Sequence, residues 1–145
     1  MILVLDFGSQ YTQLIARRVR EAKVYCEIHP FNLSPDKIQK LQPEGIILSG
    51  GPASVYEENA PQVAGEIFDL QVPFLGICYG MGIINRAAGG DVARAQAREY
   101  GFTDLTVDDS NDLFHGFSLD GGVQAWMSHG DRMTSLHDGW SILAH

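Results

Sequence analysis

Val72-Pro73-Phe74-Leu75-Gly76-Ile77-Cys78-Tyr79-Gly80-Met81-Gly82 is the stretch on which the reading of this chain turns. Val72 to Ile77 form an apolar run of strand length, and Met81 to Ala88 carry a helix-like pattern. Gly76, Cys78 and Gly80 stand at the junction, spaced as Gly-x-Cys-x-Gly. A strand that breaks sharply into a helix holds its turn residue in a strained backbone geometry, and the flanking glycines leave room for the bend. The tip side chain is pushed out above the sheet edge. With cysteine there, the sulfur also sits at a helix N-terminus, where the macrodipole favours thiolate over thiol. On the pentapeptide alone, a small buried cysteine between glycines is an equally good reading, because cysteine is among the most buried residue types.

The residues before this elbow alternate in type. Ile2 to Leu5 predicts a buried strand, Gln10 to Glu21 an amphipathic helix with Ser9 as its N-cap, and Val24 to Ile28 a second strand. Ser34-Pro35-Asp36-Lys37 predicts the start of a short helix running to Leu41, and Gly45 to Leu48 a third strand. Pro61 to Leu70 predicts a helix leading into the elbow strand. Strands separated by single helices imply a parallel sheet with right-handed crossovers. In such sheets function gathers in the crevice outside the strand carboxyl ends. Three glycine-rich exits fall there: Asp6-Phe7-Gly8-Ser9, Ser49-Gly50-Gly51-Pro52 and the Cys78 elbow. Each of the first two has an ordinary reading as a tight turn, but three on one edge exceed what turns require.

Past Gly90 the pattern changes. Gly101 to Val107 and Val123 to Met127 predict strands with shorter connections, hence an antiparallel extension. Asp108 to Phe117 predicts a polar loop or short helix, a poor calcium loop because the ligand spacing is wrong and no bidentate glutamate follows. Trp140 to Ala144 predicts a further strand, so the chain is expected to be incomplete at its C-terminal end.

Composition narrows the classes. The 145 residues suit one domain, and 45% hydrophobic with 19% charged content is that of an ordinary globule. A net charge of −8 argues against nucleic acid or an anionic membrane as partner. Met1 to Phe7 is interrupted by Asp6 and lacks basic flanks, so it is neither signal peptide nor membrane span. Cys26 and Cys78 make no disulfide framework, which suits a reduced, cytoplasmic setting. They also have no second ligand at zinc spacing, so no metal site is expected. A cysteine nucleophile needs a base with an orienting partner. Among His29, His115, His129, His137 and His145, the first sits at a strand end that could face the crevice, His115 and His137 lie in polar loops, and His129, in Ser128-His129-Gly130-Asp131 after a predicted strand, has the most site-like context.

Five segments occur here in a known order: Asp6-Phe7-Gly8-Ser9-Gln10-Tyr11-Thr12-Gln13, Leu48-Ser49-Gly50-Gly51-Pro52, Gly76-Ile77-Cys78-Tyr79-Gly80-Met81, Arg98-Glu99-Tyr100-Gly101-Phe102 and Trp126-Met127-Ser128-His129-Gly130-Asp131. In these the chain resembles the class I glutamine amidotransferase domain found at the N-terminus of GMP synthases. The resemblance spans essentially the whole chain. It implies a flavodoxin-like α/β fold and glutamine hydrolysis through a thioester on Cys78, with ammonia supplied for amination of XMP to GMP. It implies an oxyanion hole from the backbone N–H groups of Gly51 and Tyr79. Gly50, Gly51, Gly82, Ser128, His129, Gly130 and Asp131 are expected at the glutamine pocket or its rim. No cofactor is implied for this domain. ATP and magnesium would serve an ATP-pyrophosphatase (synthetase) domain or subunit that this sequence does not include, and the resemblance allows a homodimer of the full enzyme.

Two departures qualify the match. The family reads Gly-Met-Gln after the elbow, with the glutamine side chain on the substrate, whereas this chain has Gly82. The family's catalytic His and Glu are expected beyond His145. A non-catalytic binding or interaction module on the same fold is therefore the competing reading. A nucleotide-binding doubly wound domain is a weaker third, since no G-x-G-x-x-G follows the first strand.

Overall fold

The computed structural model describes residues 1–119 and 122–145, with backbone alone for 96–100 and 129. Four parallel strands build the main sheet: β1 Ile2–Asp6, β2 Cys26–Pro30, β3 Gly45–Leu48 and β4 Phe74–Gly76, in the order β2-β1-β3-β4. Helices α1 Thr12–Glu21, α2 Pro35–Leu41 and α3 Tyr79–Ala87 flank it. Winding outward to β2, then back past β1 to β3 and β4, is the flavodoxin-like order that the family resemblance implies. A separate antiparallel pair follows, β5 Asp91–Leu105 with β6 Val123–Ser135.

Alternation within each strand sorts the side chains onto two faces. Leu3, Leu5, Ile46 and Leu48 project to one face, where Ile38 of α2, Ile67 and Ile83 of α3 close over them. Each such aliphatic side chain contributes about 1.5–3 kcal/mol by leaving water, so this face holds the sheet to its helices. On the other face Val4 and Cys26 lie beneath α1, and the Cys26 thiol donates to the Ala16 carbonyl at 3.4 Å.

Several boundaries differ from expectation, each for a local reason. α1 begins at Thr12, because the Ser9 hydroxyl accepts the Tyr11 N–H and forms a turn ahead of the helix. β2 starts two residues later than its apolar pattern suggests: Lys23, at φ 61, and the Val24 N–H bond to the Val19 carbonyl consume those residues in leaving α1. The segment expected as a helix over 61–70 is a 3-10 turn, Gly65–Asp69. The Tyr79 hydroxyl claims the Pro61 carbonyl at 2.5 Å, and Gly65 adds no helix propensity. The elbow strand is only Phe74–Gly76, and it is an edge strand, with Leu75 40% exposed because α1 covers β1 and β2 alone. β5 and β6 run much longer than their apolar patterns, because burial alternates along 101–107 and 122–128 while residue type does not, Phe102 and Trp126 falling on the exposed face. The strand expected over 140–144 is reduced to a single bridge between Val107 and Ala144.

Asn85 joins the two sheets. It is fully buried on α3, and its amide donates to the Asp91 carbonyl at 3.0 Å and the Ser135 carbonyl at 2.9 Å. Gly90 lies so close that a Cβ there would meet Asn85 Cγ at 2.7 Å. Asn85→Ala leaves two carbonyls without their donor, and each buried unsatisfied group costs roughly 1–3 kcal/mol. The variant is expected to melt earlier and to be cut by protease within 91–135 before the rest of the chain. An unchanged melting temperature and digestion pattern would show that packing alone holds the ribbon.

Candidate active site

Three strand exits converge at the carboxyl edge of the main sheet, and two of them flank the β1/β3 switch point. At the end of β1, Asp6 Oδ1 accepts the Gly8 N–H at 2.9 Å and the Thr12 hydroxyl at 2.7 Å. Gly8 takes φ +89 in this turn, a backbone state that suits glycine. At the end of β3, Ser49 is fully buried. Its hydroxyl accepts the Phe7 N–H at 3.0 Å and donates to the Gly50 carbonyl at 2.8 Å. Gly51 packs against the β1 exit, where an added Cβ would stand 2.8 Å from the Phe7 carbonyl oxygen.

The third exit is the elbow. Cys78 has φ 52 and ψ −111 and caps α3, a strained conformation for a residue with a side chain. The flanking glycines explain how it is held. A Cβ at Gly76 would lie 2.5 Å from Met81 Cα, and one at Gly80 would lie 2.6 Å from Leu48 Cβ. The Gly80 N–H is shared between the Ile77 carbonyl at 3.0 Å and the Ser49 carbonyl at 3.1 Å, which ties the bend to β3. Cys78 is exposed and Cys26 is buried.

The structure brings several predicted residues together. A Cβ at Gly50 would be 3.6 Å from both Cys78 Cβ and Ser9 Oγ, so the Ser-Gly-Gly-Pro turn borders the sulfur. Tyr79 is the first residue of α3, where a backbone N–H has no partner inside the helix. Its side chain is buried against Phe7, with ring centroids 5.2 Å apart. Burial pushes the Tyr79 phenol up, and the charge of Glu57 adds to the shift.

Gly82 stays one turn from the cysteine, its N–H on the Cys78 carbonyl at 3.3 Å, and the ribbon residues make contacts of their own. Gly82 is buried, and a Cβ there would point at Val55 Cγ1, 3.1 Å away, and Val92 Cγ2, 3.6 Å away. Ser128, His129, Gly130 and Asp131 lie inside β6, not in a loop after a strand, because the ribbon continues to Ser135. Asp131 accepts a hydrogen bond from Tyr56 at 3.0 Å, which ties the loop after β3 to the ribbon. The His129 side chain is outside the described residues, as is that of Arg98. His29 sits 2.9 Å from Glu27 and His145 2.9 Å from Asp108. The hydrogen bond with His29, then that from Tyr25, holds the Glu27 carboxyl below its usual range. A cleft of about 530 Å³ lies beside the last turn of α3, lined by Tyr56, Glu57, Phe68, Ile83 and Arg86; Cys78 is not on its wall. The sequence marks Ser49 only as part of its glycine-rich exit and does not mark Tyr56. The burial of a serine next to the Gly-Gly turn is a weak clue to the first, and the second depends on a ribbon position that alternation does not reveal.

Comparison with known proteins agrees with this geometry. The family model described as glutamine amidotransferase class-I matches residues 3–145. A GMP synthase [glutamine-hydrolyzing] of Heliobacterium modesticaldum is 57% identical over 139 residues, covering 96% of this chain and 27% of that protein. Its counterpart in Gloeothece citriformis is 52% identical over 145 residues, covering 100% of this chain and 26% of that protein. The chain thus spans about a quarter of the length of these relatives. Among solved structures, a putative GMP synthase subunit protein from Thermoplasma acidophilum superposes with a TM-score of 0.85 at 30% identity, covering 99% of this chain and 71% of that one. A glutamine amidotransferase of Thermotoga maritima shares the fold, with a TM-score of 0.72 at 19% identity, covering 99% of this chain and 65% of that one. The strained cysteine elbow, its place beside the Gly50-Gly51 turn and the match over residues 3–145 lead to one conclusion: the chain belongs to the class I glutamine amidotransferase family.

Proposed function

We propose that this chain is the glutaminase part of a GMP synthase and that Cys78 is its nucleophile. What carries the reading is the exposed Cys78 at φ 52 on the N-terminus of α3, with Gly50 beside it. The Cys78 thiolate attacks the side-chain amide carbon of glutamine. The C–S bond forms as the carbonyl π pair moves onto oxygen, and the Gly51 and Tyr79 N–H groups receive that oxyanion. Collapse breaks the C–N bond, and the nitrogen leaves as ammonia once it has gained a proton. Water then attacks the thioester, releasing glutamate and the thiolate. The ammonia would pass to an ATP-pyrophosphatase domain or subunit, which would use ATP and magnesium to aminate XMP to GMP. Gly82, Ser128, His129, Gly130 and Asp131 are proposed for the glutamine pocket or its rim, and the setting is proposed to be cytoplasmic.

The proton transfers need a base near the sulfur. His29 and His145 are engaged with Glu27 and Asp108, and the family pattern puts the catalytic His and Glu in a segment that this sequence does not include. A second reading, a glutamine-binding or interaction module without turnover, is favoured by Gly82, whose Cβ direction is crowded by Val55.

Three measurements follow. Brief substoichiometric iodoacetamide at neutral pH is expected to label Cys78 ahead of Cys26, read by peptide mass mapping, and dominant Cys26 labelling overturns the nucleophile assignment. Ammonia release from glutamine by the 145-residue chain is expected to be negligible, because general acid–base participation supplies ~10²–10⁴-fold in rate. Turnover like that of an intact amidotransferase would mean that a histidine within the chain serves as base. Gly82→Gln offers a donor and an acceptor, but its Cβ would start 3.1 Å from Val55 Cγ1 and 3.6 Å from Val92 Cγ2, so its amide is expected to be held away from glutamine, with an unchanged dissociation constant and a lowered melting temperature. Calorimetric titration of both proteins checks this, and a clear tightening would show that position 82 reaches the substrate.

A further inference from the structure

We propose that Ser49 is the positioning residue of the oxyanion site: its buried hydroxyl fixes the Gly50-Gly51 peptide so that the Gly51 N–H faces the reacting carbonyl above Cys78. The inference rests on the glutaminase reading and adds a residue to it.

Every polar atom of Ser49 is committed. Its N–H donates to the Leu5 carbonyl at 3.0 Å, and its carbonyl accepts the elbow's Gly80 N–H at 3.1 Å. Its hydroxyl accepts the Phe7 N–H at 3.0 Å and gives its own proton to the Gly50 carbonyl at 2.8 Å. One residue, with none of its surface exposed, thereby connects the β1 exit, the elbow and the Gly-Gly turn.

The last of these bonds has a chemical consequence. The Gly50 carbonyl and the Gly51 N–H belong to one peptide, which is trans and planar, so its two polar groups point in opposite directions. Drawing the carbonyl inward onto the Ser49 hydroxyl turns the Gly51 N–H outward. Both residues of this peptide are glycines, which gives the backbone wide rotational freedom, and the hydroxyl is the side-chain hydrogen bond that fixes its carbonyl. A turn whose donor must meet a developing negative charge needs that orientation set before reaction. A hydroxyl that both accepts and donates can do this from within the fold, where an alanine or valine of similar size cannot.

The test separates oxyanion chemistry from thiol access. The para-nitrophenyl γ-ester of glutamate acylates Cys78 through the same tetrahedral oxyanion, but its C–O bond breaks with nitrophenolate leaving and needs no added proton. Iodoacetamide alkylates the same sulfur by displacing iodide, with no oxyanion. In the 145-residue chain, Ser49→Ala is expected to slow the nitrophenolate burst on the order of ten- to hundredfold while the iodoacetamide rate at Cys78 holds. Ser49→Thr, which keeps the hydroxyl, is expected to restore most of the burst rate. If Ser49→Ala does not fold, Ser49→Cys keeps the volume, weakens both bonds and carries the same comparison. An unchanged burst in the folded variant overturns the proposal. So does an equal fall in both rates, which means the elbow itself has moved, or a folded Ser49→Thr as slow as the alanine variant. If the unsubstituted chain gives no burst while Cys78 alkylates normally, the glutaminase reading falls, and the role of Ser49 with it.

Discussion

The backbone of α3 begins so close to the end of β3 that no side chain fits between Gly80 and Leu48. That approach, closed by the Gly80 N–H on the Ser49 carbonyl, is the constraint from which the rest of the edge follows. A helix started this near a strand leaves its cap residue no ordinary conformation, and Cys78 takes φ 52. Strain of this kind costs about 1–3 kcal/mol and persists only where the surroundings over-determine it. Here the apolar face of the sheet does so, with Tyr79 and Ile83 of α3 packed into the same cluster as Leu5 and Leu48.

The same helix reaches in two directions. Its N-terminus presents the cysteine, and its later turns carry Asn85, which holds the β5/β6 ribbon by its first and last residues. The Tyr56–Asp131 bond makes a second tie farther along the ribbon. The ribbon's position relative to the sulfur therefore depends on these polar ties and on Val92 packed against the core, not on a shared sheet.

Much of the fold was legible in the residues. β1, α2 and β3 appear at or within one residue of their expected bounds, because short apolar runs closed by Asp, Ser-Pro and Gly leave few alternatives. The elbow was legible for the same reason, since glycines at 76 and 80 around Cys78 have a steric purpose that the geometry confirms. The segments that depart from their local pattern share another feature. In 61–70, around Leu75 and along β5 and β6, the outcome is set by partners distant in sequence. The Tyr79 hydroxyl takes the Pro61 carbonyl, α1 stops short of β4, and the ribbon strands pair with each other with Phe102 and Trp126 on their exposed face.

By itself the sequence determined most of the strands and helices of the main sheet, their parallel arrangement and the cysteine that stands at the elbow, since periodicity, capping and glycine sterics are local properties of a chain. Tertiary structure decided what those residues touch. Only the folded chain shows that Ser49 binds the β1 exit, the elbow and the Gly50-Gly51 turn at once, or that a side chain at 82 would start between Val55 and Val92. It also places Ser128 to Asp131 within a strand. Hydrogen bonds between residues forty positions apart leave no periodic trace, because they depend on where whole strands stop and how helices pack across them.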